Sequence, residues 1–169
     1  MTILELGIGI PPDRRSSRAK KVVMARYVTS VATPLSATEA FSYMADVTHF
    51  VEWDPGVKRV RRVTGDGAGV GAAYDLTVQA GGTIVMRYEV KEYEPPRRII
   101  LVARTSLLTS VDEVRVEASD SGCSVTYDAT LTLNGPLRLF DPLLRLAFRH
   151  IGDRAAAGLK RVLSGKAVV

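Results

Sequence analysis

The feature that most constrains this chain is a change of period. From Val57 to Leu133 apolar and polar residues alternate in six successive runs, and after Asn134-Gly135-Pro136 the apolar residues recur every three or four positions. Period two puts alternate side chains on opposite faces of a strand, and period 3.6 puts them along one stripe of a helix. The runs are Val57 to Val63, Ala72 to Ala80, Thr83 to Glu94, Arg98 to Arg104, Ser110 to Ala118 and Cys123 to Leu133. Their connectors include Gly81-Gly82, Glu94-Pro95-Pro96-Arg97 and Asp120-Ser121-Gly122, all short enough that neighbouring strands should pair antiparallel. In the segment that follows, Phe140, Leu144, Phe148, Ile151, Ala155, Leu159 and Val162 form the stripe of one long amphipathic helix, with Asp141-Pro142 suited to its start.

Ahead of the strand run, Met24 to Thr33 alternates as a first strand that Pro34 ends. Ser36 and Glu39 then stand three apart in the capping-box arrangement, opening a helix with Ala37, Phe41 and Met44 on one face. Asp46 to Gly56 reads as a second short helix or turn, stopped by Asp54-Pro55-Gly56. The order is therefore strand, two helical segments, six strands and a long helix, within the size of one domain at 169 residues.

Charge and cysteine content narrow the function classes. The net charge is +5, but residues 1–23 hold five basic residues against two acidic ones, which leaves only +2 for residues 24–169. That weakens a phosphate-binding groove, and no nucleic-acid partner is expected. Residues 1–23 are expected to be a basic, disordered tail, with an anchor for a membrane surface or RNA as the sharper alternative, and residues 24–166 a single domain. No run approaches the ~18 apolar residues that a membrane span needs. One cysteine, Cys123, and two histidines, His49 and His150, give neither a disulfide framework nor zinc spacing, so no metal is expected and the cytoplasm is the default compartment. Cys123 has no His or Asp at a readable spacing and is not read as a nucleophile; His150, off the apolar stripe, reads as a solvated residue, and His49 offers no better case for a functional role.

The stretch Gly65 to Leu76 contains a literal G-x-G-x-x-A. In a dinucleotide site that turn leads into a helix whose N-terminus meets the pyrophosphate. Here Tyr74, Leu76 and Val78 alternate with Asp75, Thr77 and Gln79, a strand pattern, and no Lys-Ser or Lys-Thr follows for a phosphate loop. The loop reads as a strand connector, and no cofactor is expected.

With these elements in order, particular residues carry a resemblance. Trp53, Pro55, Gly56 and Val57 match a Trp-x-Pro-Gly-Val signature, and "GVGAAYDL", "RYEVKEYEPPRRI", "TYDATLTLNGPLR" and the final helix follow in register. From about Met24 to Val162 the chain resembles the SRPBCC superfamily (START-like, birch-pollen-allergen-like), and within it the bacterial polyketide cyclase/dehydrase and lipid-transport proteins. The resemblance implies an α+β helix-grip fold, a curved antiparallel sheet of about seven strands wrapped round the C-terminal helix with a cavity between.

The alternation nominates an inward face of Tyr74, Leu76 and Val78; Met86, Tyr88 and Val90; Asp112, Val114 and Val116; and Val125, Tyr127, Ala129 and Leu131. Asp75, Arg87, Glu89, Lys91, Glu113, Arg115, Glu117 and Asp128 fall on the face that suits water. Candidate ligand contacts are Trp53, Tyr74, Leu76, Met86, Tyr88, Asp112, Tyr127, Phe140, Leu144 and Phe148. A buried phenol needs a partner for its O–H, and an inward carboxylate is costly unless paired, hydrated or protonated. Asp112 is thus either a ligand or acid–base group, or a strand-end residue that reaches solvent or pairs with Arg104. Three functions follow: a carrier or sensor of a small hydrophobic molecule such as a lipid, isoprenoid or polyketide-like compound; a cyclase or dehydratase using Asp112, Tyr88 and Tyr127; and an interaction module engaging a partner through the basic tail or through Leu107 and Leu108.

Overall fold

The computed structural model describes residues 25–79, 82–134 and 141–164, with side chains of the last stretch from Phe148 onward. The expected tail, the Gly81 half of the Gly81-Gly82 turn, Gly135-Pro136 and the candidate contact Phe140 lie outside the described residues, as does the side chain of Leu144.

Strand β1 (Ala25–Thr33) leads through helix α1 (Ala37–Ala45), a 3-10 turn (Val47–His49) and the short helix α2 (Phe50–Trp53). Six strands follow without interruption: β2 (Val57–Thr64), β3 (Ala73–Gln79), β4 (Thr83–Glu94), β5 (Arg98–Arg104), β6 (Leu108–Ser119) and β7 (Gly122–Leu133). Helix α3 (Asp141–Leu163) is the last described element. The capping box forms as the spacing predicts: the Ser36 backbone N–H donates to Glu39 at 2.9 Å, and the Glu39 N–H donates to Ser36 Oγ at 3.3 Å.

All seven strands make one antiparallel sheet in the order β1-β7-β6-β5-β4-β3-β2. The strands β2 to β7 are a meander, so the short connectors dictate their neighbours. β1 is different, because α1 and α2 carry the chain from one edge of the sheet to the other and leave β1 beside β7, with Ala25 opposite Leu131 and Thr33 opposite Cys123. This is the helix-grip α+β fold.

The inward residues of the sheet, together with Phe41, Met44, Phe50, Trp53 and the stripe Ala155, Leu159 and Leu163 of α3, make a single core cluster. Two glycines let α3 come close. A Cβ at Gly158 would meet the backbone carbonyl of Trp53, and one at Gly152 would meet the ring of Tyr27. The contact is fastened by Arg161, which donates to the Glu52 carbonyl at 2.6 Å, and by Tyr27, whose hydroxyl donates to Asp153 at 3.1 Å.

The outward face corrects one expectation. Asp75 and Asp128 do sit on the side away from the cavity, yet they are 8% and 6% exposed. Each is covered by arginines from neighbouring strands. Arg61 and Arg87 donate to Asp75 at 2.7 and 2.8 Å, and Arg26 donates to Asp128 at 2.9 Å with Arg115 close by. The long apolar stems of arginine lie over the sheet while their heads stay in water, which buries the shorter acid beneath them.

Candidate functional site

Inside the curve of the sheet lies a cavity of about 470 Å³. Most of its wall is apolar: Val57, Leu76, Val78, Ile84, Met86, Ala129 and Leu131 from the strands, Phe50 from α2, and Phe148 and Ile151 from α3. The polar exceptions are Asp54, Gln79, Tyr88, Ser110, Asp112 and Tyr127. A pocket of a few hundred Å³ with an apolar wall and few convergent polar groups is the usual form of a small-molecule site.

The register explains how the polar groups meet. Tyr88 lies opposite Ala103, Ala103 opposite Ser110, Leu101 opposite Asp112, and Asp112 opposite Ala129. Tyr127 faces Val114, one inward step further along β7. The diagonal step lets the Tyr127 hydroxyl donate to Asp112 Oδ2 at 2.9 Å, while the Ser110 hydroxyl donates to Oδ1 at 2.9 Å. Asp112 is 5% exposed and stands mid-strand. Neither open alternative for it holds: it does not reach solvent at a strand end, and Arg104, exposed at the end of β5, is not its partner.

Burial pushes the Asp112 carboxyl up to about 6, because removal from water disfavours its charge more than the two hydroxyl donors restore it, and Asp54 and Asp128 add a smaller push in the same direction. The Tyr88 and Tyr127 phenols are raised well above their ordinary value, first by burial and next by the Asp112 charge. Asp54 is raised by burial as well, against hydrogen bonds from the Gly56 and Val57 backbone and the pull of Lys58 and Arg154. A hydrogen-bonded carboxyl in an apolar pocket, with its proton affinity raised, can accept a hydrogen bond, donate one or transfer a proton as the pH passes its titration range.

Of the nominated contacts, Leu76, Met86, Tyr88, Asp112, Tyr127 and Phe148 line the cavity together. Two are placed elsewhere. Tyr74 shares the inward face of β3 but lies at the end where the glycine loop closes; its ring is fully buried, and its hydroxyl donates to the Gly67 carbonyl at 3.3 Å. Trp53 is core: it packs against Phe50 at 4.7 Å and edge-on against Tyr127 at 5.1 Å, so it backs the wall instead of forming it. Its Nε1 is buried without a hydrogen-bond partner among the described residues.

The glycine stretch joins β2 to β3 with no helix after it. Gly65 and Gly71 take φ of 88° and 87°, the left-handed region that a side chain disfavours, and the Gly71 N–H donates to the Val90 carbonyl at 2.9 Å. It is a strand connector anchored by Tyr74. Cys123 is buried, which raises its thiol and keeps it from acting as a ready nucleophile. His49 stacks on Tyr43 at 4.4 Å, and His150 is exposed. Leu107 is exposed beside Leu108, which lines the cavity, so this hairpin end borders the apolar rim.

Sequence reasoning missed four lining residues of consequence. Ser110 was legible, since it stands two before Asp112 on the same face. Phe50 and Asp54 were not, because the path of the α2 to β2 turn across the cavity depends on packing between elements distant in sequence; Gln79, which alternation put on the face opposite Leu76 and Val78, lines the cavity at the last position of β3, where its backbone N–H donates to the Gly56 carbonyl at 2.8 Å.

The family model for polyketide cyclase/dehydrase and lipid transport matches residues 24–164. The chain belongs to that family. Among solved structures, the chain is similar to the Zhui aromatase/cyclase from Streptomyces sp. R1128, with 15% identity over 85% of this chain and 93% of that one and a TM-score of 0.67. It is similar also to a START superfamily protein from Mycobacterium smegmatis, with 16% identity, coverage of 83% and 96%, and a TM-score of 0.65. The di-domain aromatase/cyclase StfQ of the steffimycin biosynthetic pathway matches at 13% identity with a TM-score of 0.66; the match covers 87% of this chain but 53% of that one, so the family member described here spans about half its length. At such identities these likenesses speak for the fold. No curated protein matches the sequence. Among the described residues no helix is long and apolar enough to cross a membrane, and no three His, Cys, Asp or Glu side chains converge as metal ligands.

Proposed function

We propose that this protein binds a small hydrophobic molecule in the cavity and acts as its carrier or sensor. The observation that carries the reading is the cavity itself: about 470 Å³ of mostly apolar space, with a hydrogen-bonded Asp112–Tyr127–Ser110 cluster on one wall. Apolar walls supply affinity through burial, and the cluster orients one polar end of the ligand. Membership of a family described by lipid transport and polyketide cyclisation supports the same class of ligand.

The test is native mass spectrometry of freshly purified protein, followed by extraction and identification of whatever is bound. A discrete hydrophobic molecule, which on re-addition raises the melting temperature, is the expected result. Empty protein that no lipid or polyketide analogue stabilises would overturn the reading and favour an interaction role through Leu107 and the basic residues 1–23.

One observation favours a second reading, an enzyme of the cyclase or dehydratase type. A carboxyl brought to about 6 is suited to general acid–base work near neutral pH, and it stands beside two phenols in a shaped cavity. Turnover of a polyketide analogue that Asp112→Asn abolishes, with binding intact, would establish it.

A further inference from the structure

The polar groups of the cavity are unbalanced in sign. Asp54 and Asp112 both line it, and among the described residues no lysine, arginine or histidine does. Lys58 and Arg154 act on Asp54 from outside the cavity wall. An ionised carboxylate offers about four acceptor sites, and Asp112 uses two of them, for Tyr127 and Ser110. Four aromatic rings, Phe50, Tyr88, Tyr127 and Phe148, line the same cavity, and ring faces attract cations. The apolar rim lies at the other end, where Ile84 is 38% exposed and Leu107 adjoins Leu108.

We infer that the cavity selects hydrophobic molecules that end in a protonated amine, taken amine first against Asp112 with the apolar tail toward Ile84 and Leu108. The inference rests on the cavity-binding reading and names its ligand class. An ammonium group has three donors and no acceptor, the complement of a wall of carboxylate and phenol oxygens. A carboxylate head would bring a further acid into a desolvated space that already holds two carboxyl groups, both with raised proton affinity. A hydroxyl head could donate to Asp112 but would leave the charge uncompensated, and a charge-assisted hydrogen bond is the stronger one.

The experiment is a titration by calorimetry at pH 8, with three ligands of equal chain length and concentrations below micelle formation: decylamine, decanol and decanoate. At that pH Asp112 is ionised and decylamine protonated. The expected order is decylamine about tenfold tighter than decanol, and decanoate weaker than decanol by at least as much. In Asp112→Asn the preference for decylamine over decanol falls to about onefold; Asp54→Asn lowers the preference by a smaller factor. Melting curves establish that the variants fold, and the comparison of the three ligands on the native protein decides the matter without them. If decanol or decanoate binds as tightly as decylamine, the amine inference is overturned and the cavity reading stands. Should none of the three bind, both fall.

Discussion

Three aspartates of the sheet are almost equally hidden from water, and they have opposite chemistry. Asp75 and Asp128, on the outer face, are 8% and 6% exposed; Asp112, on the inner face, is 5% exposed. Arg87 and Arg61 hold Asp75 down to about 2, and Arg26 likewise lowers Asp128. Asp112 is driven up to about 6. Burial alone therefore does not set a carboxyl's behaviour; what covers it does. On the outer face the cover is charged and reaches water, whereas on the inner face it is aromatic and aliphatic, with two hydroxyls.

The largest expected effect is on Asp112. Because the folded protein holds this proton more tightly than the unfolded chain, stability falls as the pH rises from about 4 to about 6, by about 3 kcal/mol once the group is fully ionised. Asp112→Asn should flatten that slope and raise stability at pH 8 by about 2 kcal/mol, with Asp54 leaving a residual slope of the same sign. Urea unfolding at a series of pH values measures it, and an unchanged slope would remove Asp112 from the account. The gain in stability separates this variant from a merely damaged protein, which matters because the same change is expected to abolish amine selectivity.

Next in size is Tyr127→Phe. It removes one of the two donors to Asp112 and leaves the buried carboxylate less satisfied, at a cost of about 1 to 2 kcal/mol at pH 8. The loss should shrink below pH 4, where Asp112 is protonated in either protein. Equal losses at both pH values would mean that the Tyr127 hydroxyl contributes independently of the charge on Asp112.

On the outer face the sign reverses. Asp75→Asn should destabilise by about 1 kcal/mol at pH 7, modest because Arg61 and Arg87 are largely exposed and their attraction is screened. A group with a lowered pKa contributes its stability above the unfolded value, so the difference between variant and parent should close as the pH falls from about 4 to about 2. The smallest effect concerns salt. Raising ionic strength to ~1 M should weaken the contribution of Asp75 by a few tenths of a kcal/mol and leave that of Asp112 unchanged, since screening acts on exposed charge. Denaturation midpoints of parent, Asp75→Asn and Asp112→Asn in low and high salt give both numbers. A salt response from Asp112 as large as that from Asp75 would erase the distinction between the faces.

The sequence by itself determined the order of elements, the antiparallel meander and, apart from Gln79 at the end of β3, the face to which the nominated strand residues point. Period two fixes the direction of every Cβ, short connectors leave a strand no neighbour but the next, and the Ser36–Glu39 box needs only four consecutive residues. It also marked Asp112 as the odd inward residue, since a charged group breaks an apolar alternation. What only the tertiary structure decided is what stands across from each inward residue. Tyr74 and Tyr88 point the same way from paired positions on β3 and β4, yet Tyr74 meets the glycine loop and Tyr88 meets the cavity. Asp75 and Asp112 both alternate correctly, and only the lateral register of Arg61 and Arg87 on one side, and of Tyr127 and Ser110 on the other, gave them opposite proton affinities. Direction is a local property of the backbone, whereas distance to the opposing layer depends on how α2 and α3 seat against the sheet, through contacts such as Gly158 on Trp53 that join residues about a hundred positions apart.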